Sequence, residues 1–162
     1  MSKKQKIQES QYNYPYHYIP FVDNNSFSEV RQWSWSHRYL GGIQVVIDQL
    51  RHIEFNSLID VGCGDGRFLR ELIVQYPHLN CMGVDYSEKA IDLANSMNPD
   101  INYVCMDIAK LDNAVYDVAV SVEVLEHIEP NQLDEFIASI TRLIKPGGHF
   151  ILTVPHINKA LN

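Results

Sequence analysis

Short apolar runs alternate with amphipathic stretches from about residue 42 onward. Five of these runs predict strands: SLIDV, LNCMGVD, INYVC, YDVAVSV and HFILTV. Between them, GRFLRELIVQY and NQLDEFIASITRLI carry their apolar side chains at helical spacing, as amphipathic helices do. This alternation predicts an α/β fold, with a doubly wound, mostly parallel sheet and helices on both of its faces.

Polar residues, proline and glycine mark the ends of several of these elements. Ser87 stands ahead of a helical pattern and is expected to cap its N-terminus. The stretch IQVVIDQLRHI, just after Gly42, predicts a helix that leads into the first strand. KPGG predicts a turn before the last strand. We therefore expect the sheet domain to comprise residues 42–162.

Residues 1–41 differ from the rest, because YNYPYHYIPF and RQWSWSHRYL are aromatic and polar with no steady period. Their most prominent aromatic residues are Tyr12, Tyr14, Tyr16, Tyr18, Trp33 and Trp35. Pro15 and Pro20 oppose a helix here. Two interpretations stay open: an arm that closes over a ligand crevice as a lid, or a packed apron that shields the sheet edge.

Size and composition suit one globular domain in water. A chain of 162 residues can bury a core of its own, and 46% hydrophobic with 20% charged residues is ordinary for such a domain. No run of about 18 apolar residues is long enough to span a bilayer. The N-terminal MSKKQKIQES has lysines but no apolar segment behind them, unlike a secretory signal. We expect a cytoplasmic protein without membrane contact.

Charge and cysteine content narrow the possible partners. The net charge of −7 opposes attraction to phosphate backbones, so nucleic acid is disfavoured as a partner. The three cysteines, Cys63, Cys81 and Cys105, form no C-x-x-C pair. We expect reduced packing residues rather than disulfides or zinc ligands.

The first predicted strand runs directly into a glycine-rich turn, LIDVGCGDGR. Gly62 and Gly64 let a ligand approach the main chain at the carboxyl end of that strand, where open α/β sheets bind ligands. The dinucleotide pattern G-x-G-x-x-G would need glycine at Arg67, but the third glycine comes one place early, at Gly66. Asp60 would repel a pyrophosphate, whereas it would attract an ammonium group. The spacing therefore argues against a nicotinamide cofactor.

Taken together, these motifs resemble those of class I S-adenosylmethionine-dependent methyltransferases over about Asn56 to Pro155. IDVGCGDGRFL resembles the first motif of that family, an acid, one residue and then G-x-G-x-G. MGVDYS resembles its second motif and VCMDIAKL its third, while YDVAVSVEVLEHI and LIKPGGHFILTVP are similar to its fourth and fifth strand regions. The resemblance implies a Rossmann-like fold and S-adenosylmethionine as the cofactor.

The same resemblance implies a set of cofactor contacts. In the family, the glycine loop wraps the amino acid end of the cofactor and the acid at the position of Asp60 helps to hold it. Asp85 would bind both ribose hydroxyls, and Tyr86 would lie against the adenine. The implied cofactor-binding residues are Asp60, Gly62, Cys63, Gly64, Asp85, Tyr86, Met106, Asp107, Ile108 and Val122.

The third motif carries two possible roles on one residue. By resemblance, Asp107 accepts a hydrogen bond from the adenine amino group, while Met106 and Ile108 line the ring. Asp107 is also a favoured residue for capping a helix N-terminus. Both roles can coexist.

His127, just past the fourth predicted strand, is the candidate catalytic residue. A hydroxyl or amine acceptor must lose a proton on methylation, and histidine is the side chain best suited to accept one near neutral pH. The alternative is a histidine that packs under the cofactor and hydrogen bonds a neighbour.

Glu123, Glu126 and His127 form an E-x-x-E-H pattern. Small-RNA ribose 2′-O-methyltransferases and ubiquinone-pathway O-methyltransferases bind a divalent cation with such a pattern, and these ligands suit Mg²⁺ or Mn²⁺. Similar segments occur across the family without a metal, so we assign no metal to the site.

The leading functional hypothesis is methyl transfer to an oxygen or nitrogen of a small-molecule acceptor. The alternatives are a noncatalytic cofactor-binding module or subunit, and a metal-assisted RNA ribose 2′-O-methyltransferase. The complete family fold has two further strands after HFILTV, which are not apparent in this sequence. We therefore expect an exposed sheet edge that can pair with another chain, and the oligomeric state stays open.

Overall fold

The structure is a computed structural model, and it describes residues 6, 7, 9, 12, 22–23, 26–27, 29–111 and 115–155. The strands are β1 Val22–Asp23, β2 Ser26–Phe27, β3 Ser57–Val61, β4 Asn80–Asp85, β5 Asn102–Cys105, β6 Tyr116–Val122 and β7 Ile144–Thr153. The α-helices are α1 Glu29–Leu50, α2 Arg67–Gln75, α3 Glu88–Met97 and α4 Leu133–Arg142. Short 3₁₀ turns cover Ile108–Lys110, Leu125–His127 and Pro130–Gln132.

Within these described residues, five strands form one sheet in the order β5-β4-β3-β6-β7. Every pairing in it is parallel. β3 and β6 lie at its centre and are buried along nearly their whole length, as their continuous apolar sequences predict. The predicted doubly wound α/β fold is confirmed. The strand order reverses between β3 and β6, and this reversal opens a crevice at their carboxyl ends.

Helices cover both faces of the sheet. On one face, α1, α2 and α3 pack through residues such as Ile47, Leu72 and Ala94. On the other face, Ile140 of α4 joins a second cluster that contains Ile59 of β3. The predicted cap of α3 is also confirmed, because the Ser87 side chain accepts a hydrogen bond from the backbone of its first turn.

The helix predicted from Gly42 begins earlier, at Glu29, and runs without a break across residues 41 and 42. Ile43, Val46 and Ile47 anchor its C-terminal half in the core. No proline interrupts residues 29–50, and elongation of an anchored helix adds one hydrogen bond for each residue fixed. A helix therefore extends into aromatic sequence that shows no helical periodicity of its own.

The KPGG stretch lies inside β7, so the prediction of a turn there was wrong. The pairing of β6 with β7 shifts its register between Tyr116 and Val118, which is the signature of a bulge. Gly147 has φ 82°, and a Cβ on Gly148 would lie 2.6 Å from the carbonyl oxygen of Asp117. The turn-forming residues accommodate the bulge instead of ending the strand.

β7 is the last strand of the described sheet on that side, with one of its edges not paired by another described strand. Leu152 and Val154, near its carboxyl end, are exposed. In the part of the chain that the structure describes, no helix combines the length and the apolar character needed to cross a bilayer.

Candidate functional site

A crevice of about 390 Å³ lies at the carboxyl ends of β3, β4 and β6. Most of the residues predicted from the sequence line it: Gly62, Gly64, Asp85, Tyr86, Met106, Asp107, Ile108, Val122 and His127. The topology brings them together because the carboxyl ends of parallel strands meet at one edge of the sheet. Asp60 and Cys63 are buried in the wall behind this lining.

Asp60 is a buried carboxyl in the middle strand of the sheet. Only 1% of the residue is exposed, and its Oδ2 atom has no hydrogen-bond partner among the described residues. Burial, and then the nearby charge of Asp85, raise the pKa of Asp60 to about 8. A cationic donor beside this carboxyl would favour its ionised form.

The glycine turn is held against β4 by its own backbone. The Gly62 amide donates to the Val84 carbonyl oxygen at 2.8 Å, and the Gly64 amide donates to Asp85 Oδ2 at 3.0 Å. Gly62 has φ 77°, and a Cβ on it would lie 2.5 Å from Cγ2 of Val124. A side chain at Gly62 is therefore excluded by the backbone conformation and by the opposite wall.

Cys63, between these two glycines, is a buried free thiol. Its amide donates to the Val84 carbonyl oxygen at 3.1 Å. Burial, and then the charge of Asp60, raise the pKa of the Cys63 thiol, so the thiol stays protonated and unreactive near neutral pH. Cys81 is half-buried and Cys105 is exposed, so the prediction that all three cysteines are packing residues is wrong for Cys105.

Asp85 ends β4 and ties the glycine turn to the start of α3. Its Oδ2 accepts from the Gly64 amide, and its Oδ1 accepts from the Ser87 amide at 2.9 Å. Burial raises the pKa of Asp85, and these backbone donors partly offset that shift. Tyr86 follows it, with 40% of the residue exposed, and lines the crevice.

Asp107 follows β5 and caps the short 3₁₀ turn of Ile108–Lys110, as one of the two interpretations predicted. Its Oδ1 accepts from the Ala109 amide at 3.0 Å. The amide of Met106 donates to the Asp85 carbonyl oxygen at 2.9 Å, which holds β5 in register with β4 at the crevice. Met106 and Ile108 place apolar surface beside these carboxylates.

His127 lies in the 3₁₀ turn after β6, with its side chain 37% exposed. Its Nε2 is 3.9 Å from Oε1 of Glu126, while Oε2 of Glu126 is buried without a hydrogen-bond partner among the described residues. Burial raises the pKa of Glu126. Within the described residues, no three His, Cys, Asp or Glu side chains are grouped so that they could hold a metal ion.

Glu123 has a strained backbone at the end of β6. Its φ of 57° is in the left-handed region, which costs a non-glycine residue free energy. Thr153 of β7 holds it there, since the Glu123 amide donates to both the carbonyl oxygen and the hydroxyl of Thr153. Such strain is common at functional sites.

Sequence reasoning missed one wall of the crevice. Four residues on one face of the Gln132–Ser139 segment line it: Gln132, Glu135, Phe136 and Ser139. They are spaced i, i+3, i+4 and i+7, so the helical periodicity of this segment was the signal that could have found them. Tyr39 of α1 and Val124 also line the crevice.

The aromatic N-terminal segment is described only in part. Tyr12 is buried and lines the crevice. Tyr14, Tyr16 and Tyr18 lie outside the described residues, as do the side chains of Trp33 and Trp35. The choice between a lid and an apron therefore stays a prediction.

The sequence matches the family described as "Methyltransferase domain" over residues 59–152, which is more than half of the chain. A ubiquinone biosynthesis O-methyltransferase from Rickettsia akari (strain Hartford) is 32% identical over 116 residues, which cover 68% of this chain and 45% of that protein. The chain spans about half the length of the curated relatives it matches.

Solved structures share the fold. Magnesium protoporphyrin IX methyltransferase from Synechocystis PCC 6803, with bound S-adenosylmethionine, superposes with a TM-score of 0.69 at 18% identity, over 90% of this chain and 74% of that one. The N-methyltransferase NodS from Bradyrhizobium japonicum WM9, in complex with S-adenosylhomocysteine, has a TM-score of 0.59 at 23% identity, over 72% and 59% of the two chains. With its motifs, its fold and the matched domain in agreement, this chain belongs to the class I S-adenosylmethionine-dependent methyltransferases.

Proposed function

We propose that the chain binds S-adenosylmethionine and forms the catalytic domain of an enzyme that methylates an oxygen or nitrogen of a small molecule. One observation carries the proposal: Asp60, a buried carboxyl with an orphan oxygen, lies directly before a glycine turn that has no room for a side chain at Gly62. The cofactor's amino acid end brings an ammonium group, which supplies both the charge and the donors that this carboxyl lacks.

The remaining contacts are assigned to the cofactor's parts by the family resemblance. Asp85 accepts hydrogen bonds from the ribose hydroxyls, and Asp107 accepts one from the adenine amino group. The apolar side chains of Met106, Ile108 and Val122 pack against the adenosine, with Tyr86 at its exposed edge. When bound, the cofactor supplies an electrophilic methyl group, so the protein mainly has to position the acceptor and exclude water.

His127 accepts the proton that the acceptor's hydroxyl or amine gives up. It lines the crevice, and Glu126 at 3.9 Å stabilises the imidazolium that forms. The half-exposed position of the imidazole allows that proton to pass on to water.

The acceptor is a small molecule rather than a nucleic acid. The crevice has acids on its acceptor side at Glu123, Glu126 and Glu135, and no lysine or arginine among the described residues that line it. With a net charge of −7, such walls repel a phosphate backbone. The relatives named ubiquinone biosynthesis O-methyltransferases agree with a small-molecule acceptor.

Isothermal titration calorimetry with S-adenosylhomocysteine tests the cofactor part. We expect the parent and the exposed-site control Asp100→Asn to bind alike, and Asp60→Asn to bind more than tenfold more weakly. A folded parent that binds nothing at millimolar ligand would refute the proposal.

Mass spectrometry tests the enzymatic part. The chain is incubated with S-adenosylmethionine and a metabolite extract, and an enzyme yields a product about 14 Da heavier than its acceptor. Cofactor binding without any such product would favour the alternative of a noncatalytic cofactor-binding module.

A further inference from the structure

Two described residues of the N-terminal segment belong to no motif: Tyr12, which lines the crevice, and Glu9, which lies near Asp85 at its edge. Only 6% of Tyr12 is exposed, and it lines the crevice. Its hydroxyl oxygen lies 3.0 Å from the point where a Cβ on Gly64 would stand. Tyr12 therefore packs directly over the glycine turn, at the end that the cofactor's amino acid part would occupy.

Glu9 lies near Asp85, beside the crevice. Its charge contributes to raising the pKa of Asp85, Tyr86 and Cys105, which places its carboxylate near the carboxyl ends of β4 and β5. Its Oε2 atom is buried with no hydrogen-bond partner among the described residues. A buried carboxylate oxygen needs a donor, and a ligand with hydroxyl groups can supply it.

A backbone hydrogen bond joins these two residues, because the Tyr12 amide donates to the Glu9 carbonyl oxygen at 3.3 Å. Tyr12 lies at Gly64, and Glu9 lies near Asp85. Because the Gly64 amide donates to Asp85 Oδ2 at 3.0 Å, the two residues lie over neighbouring parts of the site.

We propose that Glu9 and Tyr12 are cofactor-binding residues. Tyr12 covers the amino acid end of S-adenosylmethionine over Gly64, and Glu9 shares one of the two ribose hydroxyl donors with Asp85. This inference rests on the proposed function, since it requires the cofactor to occupy the crevice.

Calorimetry and stopped-flow binding of S-adenosylhomocysteine to the full chain test the inference. Tyr12→Ala should weaken binding about tenfold, mainly through faster dissociation, and Glu9→Gln should weaken it about three- to tenfold. The matched controls are Tyr76→Ala, which removes a ring that packs on Phe55, and the exposed Glu54→Gln. Both controls should keep the parent's affinity.

Adenosine is a second probe that separates the two roles. It has the ribose but lacks the amino acid part, so Glu9→Gln should weaken adenosine binding while Tyr12→Ala leaves it nearly unchanged. A loss of packing stability alone would not produce this split between the two ligands. Tyr12→Leu, which keeps apolar volume, replaces Tyr12→Ala if the alanine variant does not fold.

The outcomes separate this inference from the proposed function. A folded parent that binds no S-adenosylhomocysteine overturns both. A parent that binds, together with folded Glu9 and Tyr12 variants of equal affinity, overturns only the inference. Tighter binding by Tyr12→Ala also overturns it, because Tyr12 would then be competing with the ligand for the crevice.

Discussion

The two sides of the crevice are built differently. On the β3–β4 side, Asp60 and Asp85 are buried, and backbone hydrogen bonds clamp the glycine turn between them. On the β6–α4 side, His127 and Glu126 lie half-exposed on a 3₁₀ turn, and Glu123 has a strained backbone. The first side is rigid and suits a ligand common to a whole family, whereas the second offers adjustable side chains for choosing an acceptor.

This contrast predicts that substitutions on the β6–α4 side change the turnover rate, whereas substitutions on the β3–β4 side change the cofactor affinity. His127 is the first test. His127→Ala should lower the rate of product formation by about 10²- to 10⁴-fold, because the acceptor's proton has no base, while affinity for S-adenosylhomocysteine stays within about twofold. The measurement is the initial rate with the acceptor found by mass spectrometry. His52→Ala, at an exposed position, is the control. An unchanged rate would remove His127 from the proton transfer.

At Asp85, by contrast, we expect a substitution to lower the cofactor affinity. Asp85→Ala should cost about 1.5–3 kcal/mol of cofactor binding, more than tenfold in affinity, because it removes charge-assisted hydrogen bonds to the ribose. Calorimetry with S-adenosylhomocysteine measures the loss, and Asp100→Ala serves as the control. Circular dichroism should show a folded variant. A folded Asp85→Ala chain with the parent's affinity would place the ribose elsewhere.

The two sides touch at Gly62 and Val124, which allows their coupling to be measured. Gly62→Ala should lower the free energy of unfolding by about 1–3 kcal/mol, since it combines a positive φ with a clash against the Val124 side chain. Adding Val124→Ala should recover the part due to the clash and leave the backbone part.

Gly41→Ala is the matched control for this cycle, because a Cβ there meets no atom within 4 Å and alanine favours the helix. Urea unfolding of the single and double variants gives the coupling free energy. If the changes in the free energy of unfolding caused by Gly62→Ala and Val124→Ala were strictly additive, the two positions would not be coupled.

The rigid side was the predictable one. Strands β3, β4 and β6 show as continuous apolar runs because both of their faces are buried, and Asp60 and Asp85 follow from their position at the strand ends. At these positions the local sequence and the tertiary structure require the same residues, so a motif a few residues long is enough to predict them.

The other features depend on tertiary contacts that local sequence does not report. Helix α1 starts as early as Glu29 because it propagates from the C-terminal half that is anchored in the core. KPGG lies in β7 because Gly148 approaches the backbone of Asp117. Tyr12 reaches the crevice across a long sequence separation. Only the α4 wall had a usable signal, its helical spacing.

Proton release on binding tests most directly the proposal that Asp60 receives the cofactor's ammonium group. With its pKa raised to about 8, Asp60 is mostly protonated at pH 7 in the ligand-free protein. An ammonium ligand favours the carboxylate, so binding should release about one proton. Because the pKa of Asp60 is higher in the folded chain than in the unfolded chain, the free energy of unfolding falls as the pH rises towards 8.

Calorimetric titration of S-adenosylhomocysteine at pH 7, in two buffers with different ionisation enthalpies, counts these protons. We expect release of about one proton by the parent and by Asp100→Asn, and almost none by a folded Asp60→Asn chain at ligand concentrations high enough to saturate it. Binding by the parent without proton release, or equal release by Asp60→Asn, would contradict the proposal.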